Sequence, residues 1–181
     1  ALTGLANRPR LAERVAEAAA AQRRGGSGFA LLMVDLDHFR HINDTLGHET
    51  GDRVLLDIAQ RIQACLRQDD TLARLGADQF ALLLDAADAQ AAEATARRVL
   101  NVVAQPFSND GAQFTVTCSI GIALAPSHGT DLDELARHAD AAMRASEMGK
   151  DYVMNTRETL EDLMEEAKER AEGGPAGPGS A

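Results

Sequence analysis

Residues 71–85 read TLARLGADQFALLLD, two short apolar runs separated by a Gly-Ala-Asp-Gln turn. So few residues between two extended runs leave room only for an antiparallel hairpin. Upstream, FALLMVD at 29–35 is short, continuous and apolar, which predicts a strand buried on both faces and ending at a carboxylate. Downstream, QFTVTCSIGIAL at 113–124 is rich in β-branched residues and predicts another strand after a turn at Asn109-Asp110-Gly111, and DYVMNT at 151–156 predicts a short last one. Between them, 9–24, 51–66, 88–104 and 131–147 carry helical spacing of apolar residues or runs of strong helix formers. Helices and strands mixed in this way, with a hairpin among them, predict an α/β sandwich on a mixed or antiparallel sheet rather than a doubly wound parallel fold.

A chain of 181 residues suits one compact domain with a short appendage. The net charge of −10 and the lack of a Lys/Arg cluster argue against nucleic acid as a partner, because phosphate-backbone affinity depends on clustered positive charge. With no apolar run of roughly 18 residues and no signal-peptide pattern, the expected setting is cytoplasmic, with no membrane contact from this chain. Cys65 and Cys118 lack metal-ligand spacing and are expected to be buried thiols. The tail changes character: RETLEDLMEEAKERAE has an apolar stripe in an acidic background, and GGPAGPGSA is of low complexity. The expected division is a domain over 1–156, an acidic exit helix over 157–172, and a Gly/Pro-rich disordered tail over 173–181.

Four separated motifs, LTGLANRPRL at 2–11, DLDHFRHINDTLGHETGD at 35–52, RQDDTLARLGADQF at 67–80 and SIGIAL at 119–124, resemble in order and spacing the GGDEF family of diguanylate cyclase domains. The resemblance covers roughly 2–156. It implies a nucleotide-cyclase-like sandwich with a mostly antiparallel five-stranded sheet flanked by helices. It also implies the condensation of two GTP into cyclic dimeric GMP, each domain of a homodimer presenting one GTP while Mg2+ (or Mn2+) serves the phosphates.

Carried onto this chain, the resemblance implies a metal site at Asp35, Leu36 and Asp78. Strand-end and turn carboxylates of this kind are hard oxygen ligands suited to magnesium, which keeps waters and completes its shell with substrate phosphates. Phe39 and Arg40, with Leu36, Asp37 and His38, are expected to shape the phosphate pocket through backbone N–H groups near a helix start. Asn43 and Asp52 match guanine-reading positions: a carboxylate accepts from N1–H and the exocyclic amine, and an amide both donates and accepts. Taken alone, each reads as a helix cap. Arg67 and Asp70 match an R-x-x-D product-binding inhibitory site, Arg reading guanine O6 and N7 and Asp the opposite edge, with Arg74 as a possible helper.

The signature departs from the family's Gly-Gly-Asp/Glu-Glu-Phe at two positions of Gly76-Ala77-Asp78-Gln79-Phe80. Ala77 adds a methyl where backbone approaches phosphate, and would penalise any positive φ the turn requires. Gln79 keeps the shape of a glutamate without its charge, so it is a poorer metal ligand and no base. A third departure is at Ser146 and Lys150, where the family usually presents lysine and arginine to the triphosphate. These changes predict a domain that binds GTP or cyclic dimeric GMP with weak or no turnover and regulates a neighbouring phosphodiesterase-type module. The alternative is an active cyclase working from Asp78, Gln79 and Asp35.

Overall fold

The computed structural model describes residues 4–109, 111–144 and 153–155. The chain runs α1 (Arg8–Arg23), β1 (Phe29–Leu36), α2 (Phe39–Leu46), α3 (His48–Ala64), β2 (Thr71–Arg74), β3 (Gln79–Leu84), α4 (Ala89–Val103), β4 (Phe107–Asn109), β5 (Ala112–Phe114), β6 (Cys118–Ala125), α5 (Leu132–Arg144) and β7 (Val153–Asn155). The hairpin anticipated at 71–85 is β2–β3, and the sheet it belongs to has five strands in the order β2-β3-β1-β6-β7, with every pairing antiparallel.

Strand β1 is central, and its unbroken apolar sequence follows from burial on both sides. Ala30, Leu32, Val34 and Leu36 face a core shared with α3, α4 and Phe39, while Phe29, Leu31 and Met33 face a second core with α1 and α5. Asp35 continues the second set, so the alternation of a strand points its carboxylate to the α5 face. Helix α5 comes unusually near that face because Gly121 lies beneath it: a Cβ there would stand 2.0 Å from the Ala139 carbonyl oxygen. On the other side Arg61 of α3 closes the end of α4, donating to the carbonyls of Val102 and Gln105 with its guanidinium 3.9 Å over the Phe107 ring.

Three expectations need correction. The helix expected over 51–66 is preceded by a separate α2, separated at Gly47, whose φ of 90° glycine adopts readily. The strand expected over 113–124 is two elements, β5 pairing with β4 in its own hairpin and β6 joining the main sheet. Cys118 is buried as expected, but Cys65 is only part-buried, because it caps the exposed end of α3, its thiol donating to the Arg61 carbonyl.

Candidate functional site

Asp35 stands opposite Gln79 on β3 and Ser119 on β6 at one end of the sheet. The tip residue Asp78 precedes Gln79, so the strand pairing brings the two expected carboxylates to one edge. Burial pushes the Asp35 carboxyl up to about 6, and the negative charges of Asp78, Asp140 on α5 and Asp37 push in the same direction; a hydrogen bond from the Gln79 side chain opposes them. An edge where several carboxylates raise one another's proton affinity is one that a bound positive ion would relieve. Among the described residues no three His, Cys, Asp or Glu side chains form a metal-holding group. Asp35 and Asp78 could offer carboxylate oxygens there, and Leu36 only its backbone carbonyl, since a hydrocarbon side chain has no donor atom. That donor set fits a magnesium-type ion whose shell is completed by water and phosphate.

The tip is built without left-handed backbone. Leu75 and Gly76 N–H donate to the Gln79 carbonyl, and neither Gly76 nor Ala77 has positive φ. A Cβ on Gly76 would meet nothing nearer than Gln79 Cβ at 3.8 Å. The turn thus requires no positive φ, and Ala77 costs it no backbone strain. Arg74 braces the tip, donating from Nε to the Gly76 carbonyl at 2.9 Å and from Nη2 to that of Ala77 at 3.1 Å, which directs it away from the R-x-x-D loop.

The turn from β1 to α2 uses some of the N–H groups expected to face phosphate. Leu36 N–H donates to the Asp78 carbonyl at 2.9 Å and Asp37 N–H to that of Thr117 at 2.7 Å. His38 is left-handed at φ 54° and supplies no side-chain cap. Phe39 and Arg40, in the first turn of α2, have no intrahelical acceptor for their N–H groups and are the amides left to receive an anion. Phe39 is buried and holds this turn against the core.

Asn43 lies within α2 and Asp52 within α3, so neither is an N-cap. The two helices are in contact, and Gly51 makes the contact possible: a Cβ at Gly51 would stand within bonding distance of Asn43 Oδ1. Asn43 is half-buried and Asp52 exposed.

At the other end of the hairpin Arg67 and Asp70 are locked into the protein. The Asp70 carboxylate, 4% exposed, accepts from Arg67 N–H at 2.9 Å and from Asp85 N–H at 3.1 Å. Arg67 Nη2 donates to the Asp85 carbonyl at 2.8 Å, and Nε lies 3.8 Å from the Asp70 carboxylate. Arg67 is exposed and can turn outwards; Asp70 serves the loop first. Ser146, Lys150 and the expected exit helix and tail lie outside the described residues. Sequence reasoning missed Asp140, Gly51, Gly121 and Asp85; only Asp140 carried a signal, a charge beside the Ala136, Ala139 and Met143 stripe.

The chain matches the family model described as diguanylate cyclase, GGDEF domain, over residues 1–152. It is 40% identical over 150 residues to the bifunctional diguanylate cyclase/cyclic di-GMP phosphodiesterase MucR of Pseudomonas aeruginosa, covering 82% of this chain and 22% of that protein. It is 36% identical over 148 residues to the cyclic di-GMP phosphodiesterase PdeR of Escherichia coli, with 82% and 22% covered. The chain thus spans about a fifth of the length of these curated relatives. The GGDEF domain of TpbB from Pseudomonas aeruginosa superposes with a TM-score of 0.77 at 37% identity, covering 83% of this chain and 88% of that one. The GGDEF domain of DgcB from Caulobacter crescentus, solved in complex with c-di-GMP, gives 0.74 at 30% identity, covering 82% and 86%. The chain belongs to the GGDEF family of diguanylate cyclase domains.

Proposed function

We propose that this domain works in cyclic dimeric GMP signalling by binding GTP, cyclic dimeric GMP or both, turns GTP over weakly or not at all, and passes its occupancy to a neighbouring module. The observation that carries this reading is the pairing of Gln79 with Asp35. Where the family has a second acid, this chain has an amide that donates to the first one. Asn43 and Asp52, which match the family's guanine-reading positions, are both present, with the glycine that lets Asn43 lie against α3.

GTP would present guanine to Asn43 and Asp52 and phosphates to the N–H groups of Phe39 and Arg40, with Ser146 and Lys150 as further phosphate contacts. Asp35, Asp78 and the Leu36 carbonyl would hold Mg2+ or Mn2+, which when bound supplies charge neutralisation of the phosphates. Removing one preorganised charge-stabilising group at such a site costs roughly 3 kcal/mol, about 10²-fold or more in rate. Gln79 and Ser146 together therefore predict turnover far below that of an intact site. Arg67 would read product guanine, with Asp70 holding it in place. The relatives MucR and PdeR are named as phosphodiesterases, which supports a phosphodiesterase-type neighbour reached through 157–172. A cytoplasmic setting follows from GTP as ligand, and no described helix is long and apolar enough to cross a membrane.

The second reading, an active cyclase, is supported by the paired placement of Asp35 and Asp78 at one sheet edge. One experiment separates them: purified protein incubated with GTP and Mg2+, then Mn2+, with nucleotides resolved by chromatography and binding followed by calorimetry. Binding without repeated turnover is the expected result. Cyclic dimeric GMP accumulating, and lost in Asp78→Ala, establishes the active cyclase; no binding of either nucleotide rejects both.

A further inference from the structure

We infer that Asp37 is a positioning residue that fixes the first turn of α2 against the end of β1, and so sets where nucleotide phosphates can be received; the inference rests on the nucleotide-binding reading above. The chain reverses from β1 into α2 through only Asp37 and His38. His38 takes the left-handed conformation at φ 54°, ψ 27°, which a residue with a Cβ rarely adopts without being held there. One ordinary anchor of a helix start is missing: α2 has no side-chain N-cap, and its hold on the core is Phe39, fully buried, with Ile42 part-buried beside it.

Asp37 supplies the missing anchor. Its carboxylate accepts from Thr117 Oγ1 at 2.8 Å and from Ser119 Oγ at 3.0 Å, and its N–H donates to the Thr117 carbonyl at 2.7 Å. All three bonds reach the start of β6, and Ser119 is the strand partner of Asp35. The same residue therefore ties α2, with the open N–H groups of Phe39 and Arg40, to the strand end that carries Asp35; next to it, Leu36 N–H makes its own bond to the Asp78 carbonyl. Three bonds of fixed direction define an orientation at the helix start, which the apolar packing of Phe39 and Ile42, being non-directional, does not. Hydroxyl donors on both carboxylate oxygens also satisfy Asp37 internally, which separates its role from that of Asp35.

The test uses Asp37→Ala, the double variant Thr117→Val/Ser119→Ala, their combination, and Asp37→Asn. GTP binding with Mg2+ is measured by calorimetry at a temperature where melts show every variant folded. Asp37→Ala and the hydroxyl double variant should each weaken GTP binding about tenfold, close to 1.4 kcal/mol. The combination should add little more, since both remove the same tether. Asp37→Asn should stay within about threefold of wild type, because an amide can accept from one hydroxyl and donate to the other. In free protein, the same variants should speed amide exchange at Leu36–Arg40. Should Asp37→Ala fail to fold, Ser119→Ala alone carries the comparison, with a smaller loss expected. Wild-type binding that is matched by the folded tether variants, whatever their melting temperatures, overturns the inference and leaves the nucleotide-binding reading intact. Wild-type protein that binds no GTP overturns both.

Discussion

Asp70 and Asp35 are both withdrawn from water in part or whole, and their surroundings are opposite. Asp70 is 4% exposed, receives two backbone N–H groups and lies beside the Arg67 guanidinium, so its charge is spent inside the loop. Burial weighs most against the charge of Asp35, and Asp78, Asp140 and Asp37 add to it; among the described residues the Gln79 side chain opposes them. Repulsion among the carboxylates around Asp35 is what a cation would relieve, which is why the proposed metal site belongs to that edge and not to the loop. The R-x-x-D loop, by contrast, is complete as it stands, and any ligand there meets Arg67 rather than Asp70.

The largest expected effect tests this contrast directly. Asp70→Ala leaves Arg67 N–H and Asp85 N–H without their acceptor and should lower stability by about 3 kcal/mol, read from urea unfolding, with Asp70→Asn costing roughly half of that. Asp35→Asn should leave stability unchanged or raise it by less than about 1 kcal/mol, since Asp35 is half-exposed and solvent screens its repulsions. Equal losses at the two positions would break the comparison.

A second test separates binding from folding. Gly51→Ala gains up to about 1 kcal/mol of helix propensity but drives a methyl into Asn43 Oδ1, so Asn43 must turn away. GTP affinity should fall about 10- to 100-fold while the melting temperature changes little. A large fall in melting temperature with unchanged affinity would remove Asn43 from the site.

How much of this was legible beforehand depends on which force placed each residue. The hairpin and the doubly buried β1 could be read because turn chemistry and apolar continuity are local signals. Asp35 and Asp78 followed once β1 and β3 were taken as neighbours. Helix α2 was hard to read because it is only eight residues long: Phe39, Ile42 and Leu46 stand at helical spacing, but two turns make a short stripe. The strain-free tip at Ala77 was hidden for another reason: a residue type reveals what a turn permits, not which φ it adopts. Asp140 and Gly51 act through contacts between elements far apart or newly juxtaposed in space, which no spacing in the sequence encodes, and Asp70's internal bonds depend on Asp85 fifteen residues away.

The third expected effect is in pH. The Asp35 carboxyl titrates near 6 in the folded protein against an ordinary 3.8, so the native state holds this proton more tightly than the unfolded chain. Its contribution to stability is therefore fully present below about pH 4 and is lost as pH rises through 6. The difference in unfolding free energy between wild type and Asp35→Asn, followed from pH 4 to 7.5, should drift by less than about 1 kcal/mol towards the variant, given screening at a half-exposed site. Mn2+ competes with the same proton, so its binding should strengthen across that window. A flat difference curve would mean that neither burial nor the charges of Asp78 and Asp140 raise the Asp35 carboxyl.

The smallest expected change asks most of the comparison, because it makes the unresolved site more unresolved. Gln79→Glu replaces a hydrogen-bond donor to Asp35 with a further carboxylate, so without metal the protein should lose a few tenths of a kcal/mol, an amount ordinary for an exposed like-charge pair. With Mn2+ the sign reverses: two acids flanking Asp78 should bind the ion several-fold more tightly, and turnover of GTP should rise if charge at this position is what the site lacks. The reversal is the informative quantity, since a merely structural glutamine would lose stability in both conditions. Tighter Mn2+ binding with no gain in turnover would place the remaining deficit away from the tip, at the phosphate contacts expected of Ser146 and Lys150.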